Sequence, residues 1–398
     1  MTRTEKLLTE LIALPSVNPA FARQSRASAR HASFAQFGEK NIAEFLASVA
    51  ARASLEVEFQ TVLPVRFNVI AHLLPQKKAR QTILLAPHMD TVPAEDSQFI
   101  PRRKDSRLYG RGACDTKGSI AAMLTALCEL AESRSRPRET EIVFAGLVDE
   151  EHAQAGSRTF VRSSAFRQIA NSARRPKAGL QTALAIVGEP TKLQGITAHK
   201  GSLWLQLETR GKAAHGAMPH LGKNAIHKMA NVVEALETDY AAQLRKHRHP
   251  VLGRATVNVG SISGGAQPNI VPDHCTITID RRTLPGETDA AVRREIDSFL
   301  KSKHLRASIS SIKLAPAPPF ESNPNLPLLG QFLRSIGQRR PAGVDFFCDA
   351  AVLSAGGIPS VVFGPGDISQ AHTPNEWISL ASLERGKNLL LRFLNSLP

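Results

Sequence analysis

Aromatic side chains are scarce in this 398-residue sequence, with two Tyr, two Trp and 5% aromatics overall. The scarcity bears on the charge, because 50 Lys and Arg against 35 Asp and Glu leave a formal +15. A basic protein that grips single-stranded nucleic acid needs rings on which bases stack. The basic groups Arg102 to Lys104, Arg134 to Arg138, Arg174 to Lys177 and Arg245 to Arg248 are short, scattered and not interleaved with aromatics. No specific nucleic-acid partner is expected. Cysteine is nearly absent too: Cys114, Cys128, Cys275 and Cys348 show no CxxC spacing. That argues against a thiolate metal site or a disulfide framework and fits reduced thiols in a cytoplasmic protein. No apolar run approaches the roughly 18–20 residues of a membrane span. The first dozen residues read as an amphipathic helix rather than a signal peptide. A cytoplasmic protein with no membrane partner is expected.

What the chain has is length and an ordinary interior. Hydrophobic content of 42% and charged content of 21% suit a soluble globular protein of two domains. Its most telling stretch is Asp149-Glu150-Glu151, at the end of the apolar, β-branched run Glu141 to Val148. Neighbouring side chains on a strand face opposite ways, so Glu150 and Glu151 converge only where the strand gives way to a loop. There, α/β sheets keep their ligands. A cation would relieve the repulsion, and one carboxylate could serve as a base.

The pattern recurs. Thr82 to Pro87 reads as a strand running into His88 and Asp90, two apart and so on one face, where a carboxylate could fix an imidazole's tautomer. Leu108 to Ser119 is glycine-rich, yet it fails the dinucleotide pattern because Asp115 takes the third glycine position. It fails the phosphate-loop pattern because Lys117 precedes Gly118. Asp115 is a better cation ligand than phosphate cradle. The strand at Ala183 ends at Glu189, and Ser360 to Gly366 precedes His372. Five imidazoles and carboxylates after strand ends, with no thiolate, suit a pair of divalent ions, zinc most naturally.

Between residues 198 and 313 the pattern changes. Ser202 to Gly211 and Cys275 to Asp280 alternate apolar and polar, while Ile226, Met229, Val233 and Leu236 keep helical spacing. The expected fold is therefore α/β, a mixed-sheet catalytic domain (1–197 and 314–398) with a smaller inserted α+β domain (198–313).

The stretches His88–Pro93 (HMDTVP), Gly110–Gly118 (GRGACDTKG), Asp149–Glu151 (DEE), Val187–Thr191 (VGEPT) and Ala371–Glu376 (AHTPNE) resemble, in order and spacing, the co-catalytic zinc aminoacylase and carboxypeptidase family. That family includes acetylornithine deacetylase and succinyl-diaminopimelate desuccinylase. The likeness reaches the inserted domain through Gly211–Ala217 (GKAAHGA) and Gly264–Pro272 (GGAQPNIVP), and leaves Arg23 to Ser33 without a motif. The resemblance implies two zinc ions, replaceable by cobalt or manganese. Asp115 would bridge them, with His88 and Glu189 on one and Glu151 and His372 on the other. It implies Glu150 as general base, Asp90 as its tuning carboxylate, and a cis peptide after Asp115. It implies His215 as the oxyanion contact, reaching a neighbour's centre in a homodimer built through residues 198–313. Asn258, Arg281, Gly364 and Gly366 would be substrate contacts. The implied reaction is removal of an acetyl or succinyl group from an N-acyl amino acid; the alternative is a dipeptidase or carboxypeptidase acting on short peptides.

Overall fold

A computed structural model describes residues 1–22, 38–133, 136–174 and 183–398; the Arg23 to Ser33 stretch lies outside them. In chain order the strands are β1 (Glu56–Leu63), β2 (Arg66–Leu73), β3 (Gln81–Pro87), β4 (Arg102–Lys104), β5 (Arg107–Tyr109), β6 (Thr140–Gly146), β7 (Ala183–Gly188) and β8 (Ile196–His199). There follow β9 (Gly201–Arg210), β10 (Thr256–Gly264), β11 (His274–Thr283), β12 (Ser308–Ser311), β13 (Phe320–Glu321), β14 (Ala342–Val344), β15 (Ser360–Val362) and β16 (Trp377–Ser379).

The chain forms two compact units. The first is Met1–Thr197 with Ser322–Ala342 and Cys348–Pro398; the second is Ala198–Glu321 with Gly343–Phe347. The second therefore runs on past residue 313 and takes in five residues from later in the chain.

In the first unit the sheet runs β1-β2-β6-β3-β7-β15-β8. Its middle, β6-β3-β7-β15, is parallel, and β2 joins β6 antiparallel. Apart from one half-buried residue each in β3 and β6, every residue of β3, β6 and β7 is buried. Both faces of these strands are thus covered, which explains why they read as continuous apolar runs. The helix Lys117–Glu132 is buried almost throughout and packs beside Arg3–Ile12 and Leu380–Asn395. Register sets the site: Pro87 pairs with Gly188 and His88 bridges Leu147. The residues that follow β3, β6 and β7 consequently emerge along one edge of the sheet. Among the described residues no helix is long and apolar enough to cross a membrane.

The second unit is a four-stranded antiparallel sheet, β10-β11-β9-β12. Strand β11 alternates half-buried and buried at every residue. Its buried side chains Cys275, Ile277 and Ile279 share a core with Met229 and Val232 of the helix Ala225–Ala235 and with Ile296 and Phe299 of the helix Asp289–Ser302. Alternation from Leu203 to Leu207 suits a strand that pairs with a second copy of the chain across a two-fold axis, and here the structure differs. As part of β9 it lies between β11 and β12, so its backbone groups are already engaged. Among the described residues the sheet's edge strands are β10 and β12.

Candidate metal centre

His88 leaves β3 with its ring held at both nitrogens. Nδ1 lies 3.0 Å from the Asp90 carbonyl and 3.4 Å from the Asp90 carboxylate. Nε2 faces Asp115 Oδ1 at 3.2 Å and Glu189 Oε1 at 3.9 Å. The other oxygen of Asp115, Oδ2, is 3.3 Å from His372 Nε2, which also lies 3.2 Å from Glu151 Oε1. Asp115 thus stands between two imidazoles and offers one oxygen to each. Ligand atoms of His88, Asp115 and Glu151 lie within 4.8 Å of one another. Two imidazole nitrogens among carboxylate oxygens form a donor set suited to divalent cations.

The electrostatics point the same way. Burial pushes Glu150 and Glu189 well above the usual carboxylate range, and neighbouring carboxylates, Asp349 among them, add to it. Burial raises Glu151 as well. His372 is raised to about 10 by its bonds to Asp115 and Glu151. His88 is raised well above its ordinary value even though burial opposes its charge, because Asp115 and Asp90 sit against its two nitrogens. Burial likewise works against the charge on Asp115, yet His372 and His88 hold its carboxyl below the ordinary range. Crowded, buried carboxylates with raised proton affinity are a setting in which a cation would be favoured.

Two buried carboxylates hold the site's backbone. Asp90 accepts the N–H of Glu150 at 3.0 Å on one oxygen and that of Glu151 at 3.1 Å on the other. It therefore orients His88 and the acidic turn at once. Glu376 does the same for the loop that carries Asp115. It accepts the amides of Gly112, Cys114 and Asp115 at 2.8–3.0 Å and Nη1 of Arg111 at 2.7 Å. The Asp115–Thr116 peptide is cis, as the family resemblance implies, and Thr116 Oγ1 donates to the Gly188 carbonyl at 2.7 Å. Sequence reasoning gave Glu376 no role, and it missed Asn18, Glu39 and Arg66 altogether. The only signal was that Glu376 lies in the 371–376 stretch; nothing local to 18, 39 or 66 suggests chemistry.

Of the two glycines expected to contact substrate, Gly364 does not offer a free amide. The Gly364 amide already donates to Thr191 Oγ1 at 3.1 Å. A Cβ there would come within 2.5 Å of the Glu189 carbonyl oxygen. Gly366 has φ +97°, and a Cβ would press on Cys114 Sγ at 2.6 Å. Both positions supply room for the backbone of the ligand-bearing segments. Cys114 and Cys348 are buried free thiols.

His215, Asn258 and Arg281 belong to the second unit. His215 is exposed, and its Nδ1 accepts the Ala217 N–H at 3.1 Å, which leaves Nε2–H to donate outward in the neutral ring. Asn258 is exposed on the edge strand β10. Arg281 departs from the expected substrate contact: it is 0% exposed. Its guanidinium bonds Glu287 at 2.5 Å, Tyr240 Oη at 3.2 Å and the Arg282 carbonyl. Strand alternation turns the neighbouring Arg282 to the other face, where it pairs with Asp280 at 2.9 Å and keeps 32% of its side chain exposed.

Residues 84–396 match the family described as peptidase family M20/M25/M40. The chain is 30% identical over 400 residues to an acetylornithine deacetylase of Yersinia pestis, covering 97% of this chain and 95% of that protein. Its fold is similar to that of the aminopeptidase PepT of Bacillus cereus, with a TM-score of 0.70 at 21% identity over 99% of this chain and 97% of the other. It is also similar to the YXEP protein of Bacillus subtilis, a dinuclear metal-binding peptidase, with a TM-score of 0.68 at 14% identity over 99% and 97%.

Proposed function

The chain belongs to peptidase family M20/M25/M40, and from that premise we propose that it is a two-zinc amidohydrolase removing an acetyl- or succinyl-type acyl group from an N-acyl amino acid. The observation that carries the reading is Asp115, with one oxygen 3.2 Å from His88 and the other 3.3 Å from His372. His88, Asp115 and Glu189 would hold one ion, and Asp115, Glu151 and His372 the other. Bound there, divalent ions would polarise the scissile carbonyl and acidify the attacking water.

The chain's own residues do the rest. Glu150 takes no part in the imidazole–carboxylate contacts. Its raised proton affinity suits a general base that accepts a proton from water and passes it to the departing amine. Asp90 keeps that base and the ligand Glu151 at a fixed angle. In the second unit, the outward Nε2–H of His215 suits a developing oxyanion, Asn258 offers an exposed amide, and Arg282 in place of Arg281 offers a guanidinium for the substrate carboxylate.

The second unit also supports a homodimer. Met218, Leu221, Ile226, Ile262 and Ile270 are 37–57% exposed, and among the described residues β10 is an edge strand of its sheet. Exposed apolar side chains in a unit with an edge strand suit a two-fold contact. In such a dimer His215 would serve the partner's centre. Mixed dimers of Glu150→Ala and His215→Ala chains should then regain activity that neither homodimer has, and failure to regain it would remove the trans role.

The deciding experiment is a screen of N-acetyl, N-succinyl and N-formyl amino acids beside dipeptides, with zinc- or cobalt-loaded protein and chelated controls. Turnover of N-acyl amino acids that chelation abolishes is expected. Turnover of dipeptides alone would replace the deacylase by a peptidase, and turnover of none would end the reading.

A further inference from the structure

The turn that aims Glu150 and Glu151 is held by more than Asp90. Asp149, which opens it, has φ 69°, in the left-handed region that side chains bearing a Cβ seldom adopt. Its N–H donates to Glu39 Oε1 at 3.2 Å. Its Oδ1 lies 3.0 Å from Arg66 Nη1 and accepts from Asn18 Nδ2 at 3.0 Å. Arg66 also donates Nε to Glu39 Oε2 at 2.7 Å and Nη2 to Glu39 Oε1. Asn18 Nδ2 makes a second bond, to Asp90 Oδ2 at 2.7 Å. Asn18, Glu39, Arg66, Asp90 and Asp149 are all buried. None of Asn18, Glu39 and Arg66 is among the ligand candidates, and they come from three separated parts of the chain.

We propose that Asn18, Glu39 and Arg66 are positioning residues of the reaction, a clamp fixing the direction in which the turn presents Glu150 and Glu151. The inference rests on the amidohydrolase reading above. Asn18 is its centre. An amide nitrogen has two hydrogens, and here one goes to Asp90 and one to Asp149, while Oδ1 accepts the Ala20 N–H at 3.0 Å. One side chain thus ties the carboxylate that orients His88 to the residue that opens the acidic turn. Glu39, Asp90 and Asp149 are three carboxylates facing one guanidinium. Without the neutral donor between them, Asp90 and Asp149 would repel, and the backbone amides of Glu150 and Glu151, which hang from Asp90, would move with it. Arg66 sets the opposite side, because its fork spans Glu39 and Asp149 and cannot follow one without losing the other.

The test uses Asn18→Asp, nearly isosteric but without either hydrogen, and the milder Glu39→Gln, in the full chain. Residues that orient metal-site groups from outside typically change affinity or activity by about 10–100-fold. The expected result is a kcat lower by about that factor with KM little changed, together with weaker binding of Co2+ by calorimetric titration into metal-free protein. A purely structural role would lower Tm and leave the kcat, KM and Co2+ affinity of the folded variants at wild-type values; that outcome overturns the clamp. Should Asn18→Asp not fold, Glu39→Gln decides by the same readouts. Should wild-type protein hydrolyse no N-acyl amino acid or peptide, the amidohydrolase reading fails separately, and Co2+ affinity alone decides whether the clamp orients the turn.

Discussion

The two units treat polar residues in opposite ways. In the first, His88, Glu150, Glu151 and Glu189 lie just past parallel strands buried on both faces, Asp115 follows the antiparallel β5, and the segments that carry them are held. His88 is bonded through both nitrogens. The acidic turn hangs from Asp90, and the Asp115 loop hangs from Glu376. In the second, the groups proposed for chemistry are exposed: the His215 ring accepts one backbone N–H, and Asn258 stands on an edge strand. The charged group that is well held there, Arg281, faces the interior. Rigid support marks where charge is handled in advance of substrate. Exposure leaves side chains accessible to a ligand or a second chain.

The sharpest way to break that contrast is Glu150→Ala. If the buried carboxylates of the first unit are chemical, the variant keeps both metals by elemental analysis yet loses about two to four decades of kcat. Near-normal turnover with chemistry rate-limiting would make Glu150 another structural acid. Next in size is Glu376→Gln, which keeps the shape but replaces a carboxylate that accepts three backbone amides. A fall of about 10–100-fold in activity or metal affinity is expected. Unaltered metal content and rate would mean that the Asp115 loop holds itself.

The contrast inside the second unit turns on adjacent arginines. Arg282→Met should lower kcat/KM by about tenfold, the size of one hydrogen bond to a charged group. It should barely move Tm, because a half-exposed ion pair contributes about 0–1 kcal/mol. Arg281→Met should do the reverse. It breaks a buried pair, a loss of about 3 kcal/mol, at the low end because the partner Glu287 keeps 26% of its side chain in water. The two kinetic and melting profiles exchanged would return the substrate role to Arg281.

How far the sequence carries differs between these residues for a physical reason. The parallel strands are legible because burial on both faces writes continuous apolar runs, and His88, Glu151 and Glu189 stand out as polar residues just past them; Asp115 follows the short antiparallel β5 instead and is legible from its glycine-rich loop. The antiparallel sheet is legible through alternation. Sheet order is not: nothing in Leu203 to Leu207 says that β11 and β12 flank it. The same limit hides the supports. Asn18 bonds a residue 131 positions on, and Glu376 one 261 positions back, contacts made by topology alone. Arg281 and Arg282 were separable in principle by the two-residue period of β11. Choosing between them needed to know that the odd-numbered face, with Cys275, Ile277 and Ile279, is the buried one.

The smallest effect expected is a pH dependence confined to the metal-free first unit. His372 is raised to about 10 from an ordinary 6.5. A group whose folded value lies above its unfolded one stabilises fully below the unfolded value, and that stabilisation is lost as pH rises through the folded value. Glu150, Glu189 and Glu151 are shifted upward as well, so each likewise favours the folded state at lower pH. The chelated protein should therefore lose a few degrees of Tm as pH is raised from about 6.5 toward 10. The His372 share of the fall is modest because its side chain is 53% exposed and water screens its ion pairs. If metal ions replace those protons in loaded protein, its Tm should be nearly flat over the same range. Hydrogen exchange should trace the loss to the segments around His88, Asp115 and Glu151 and leave β9 to β12 unchanged. Equal slopes with and without metal, or a loss spread through the second unit, would show that the raised proton affinities of the cluster do not stand in for a cation.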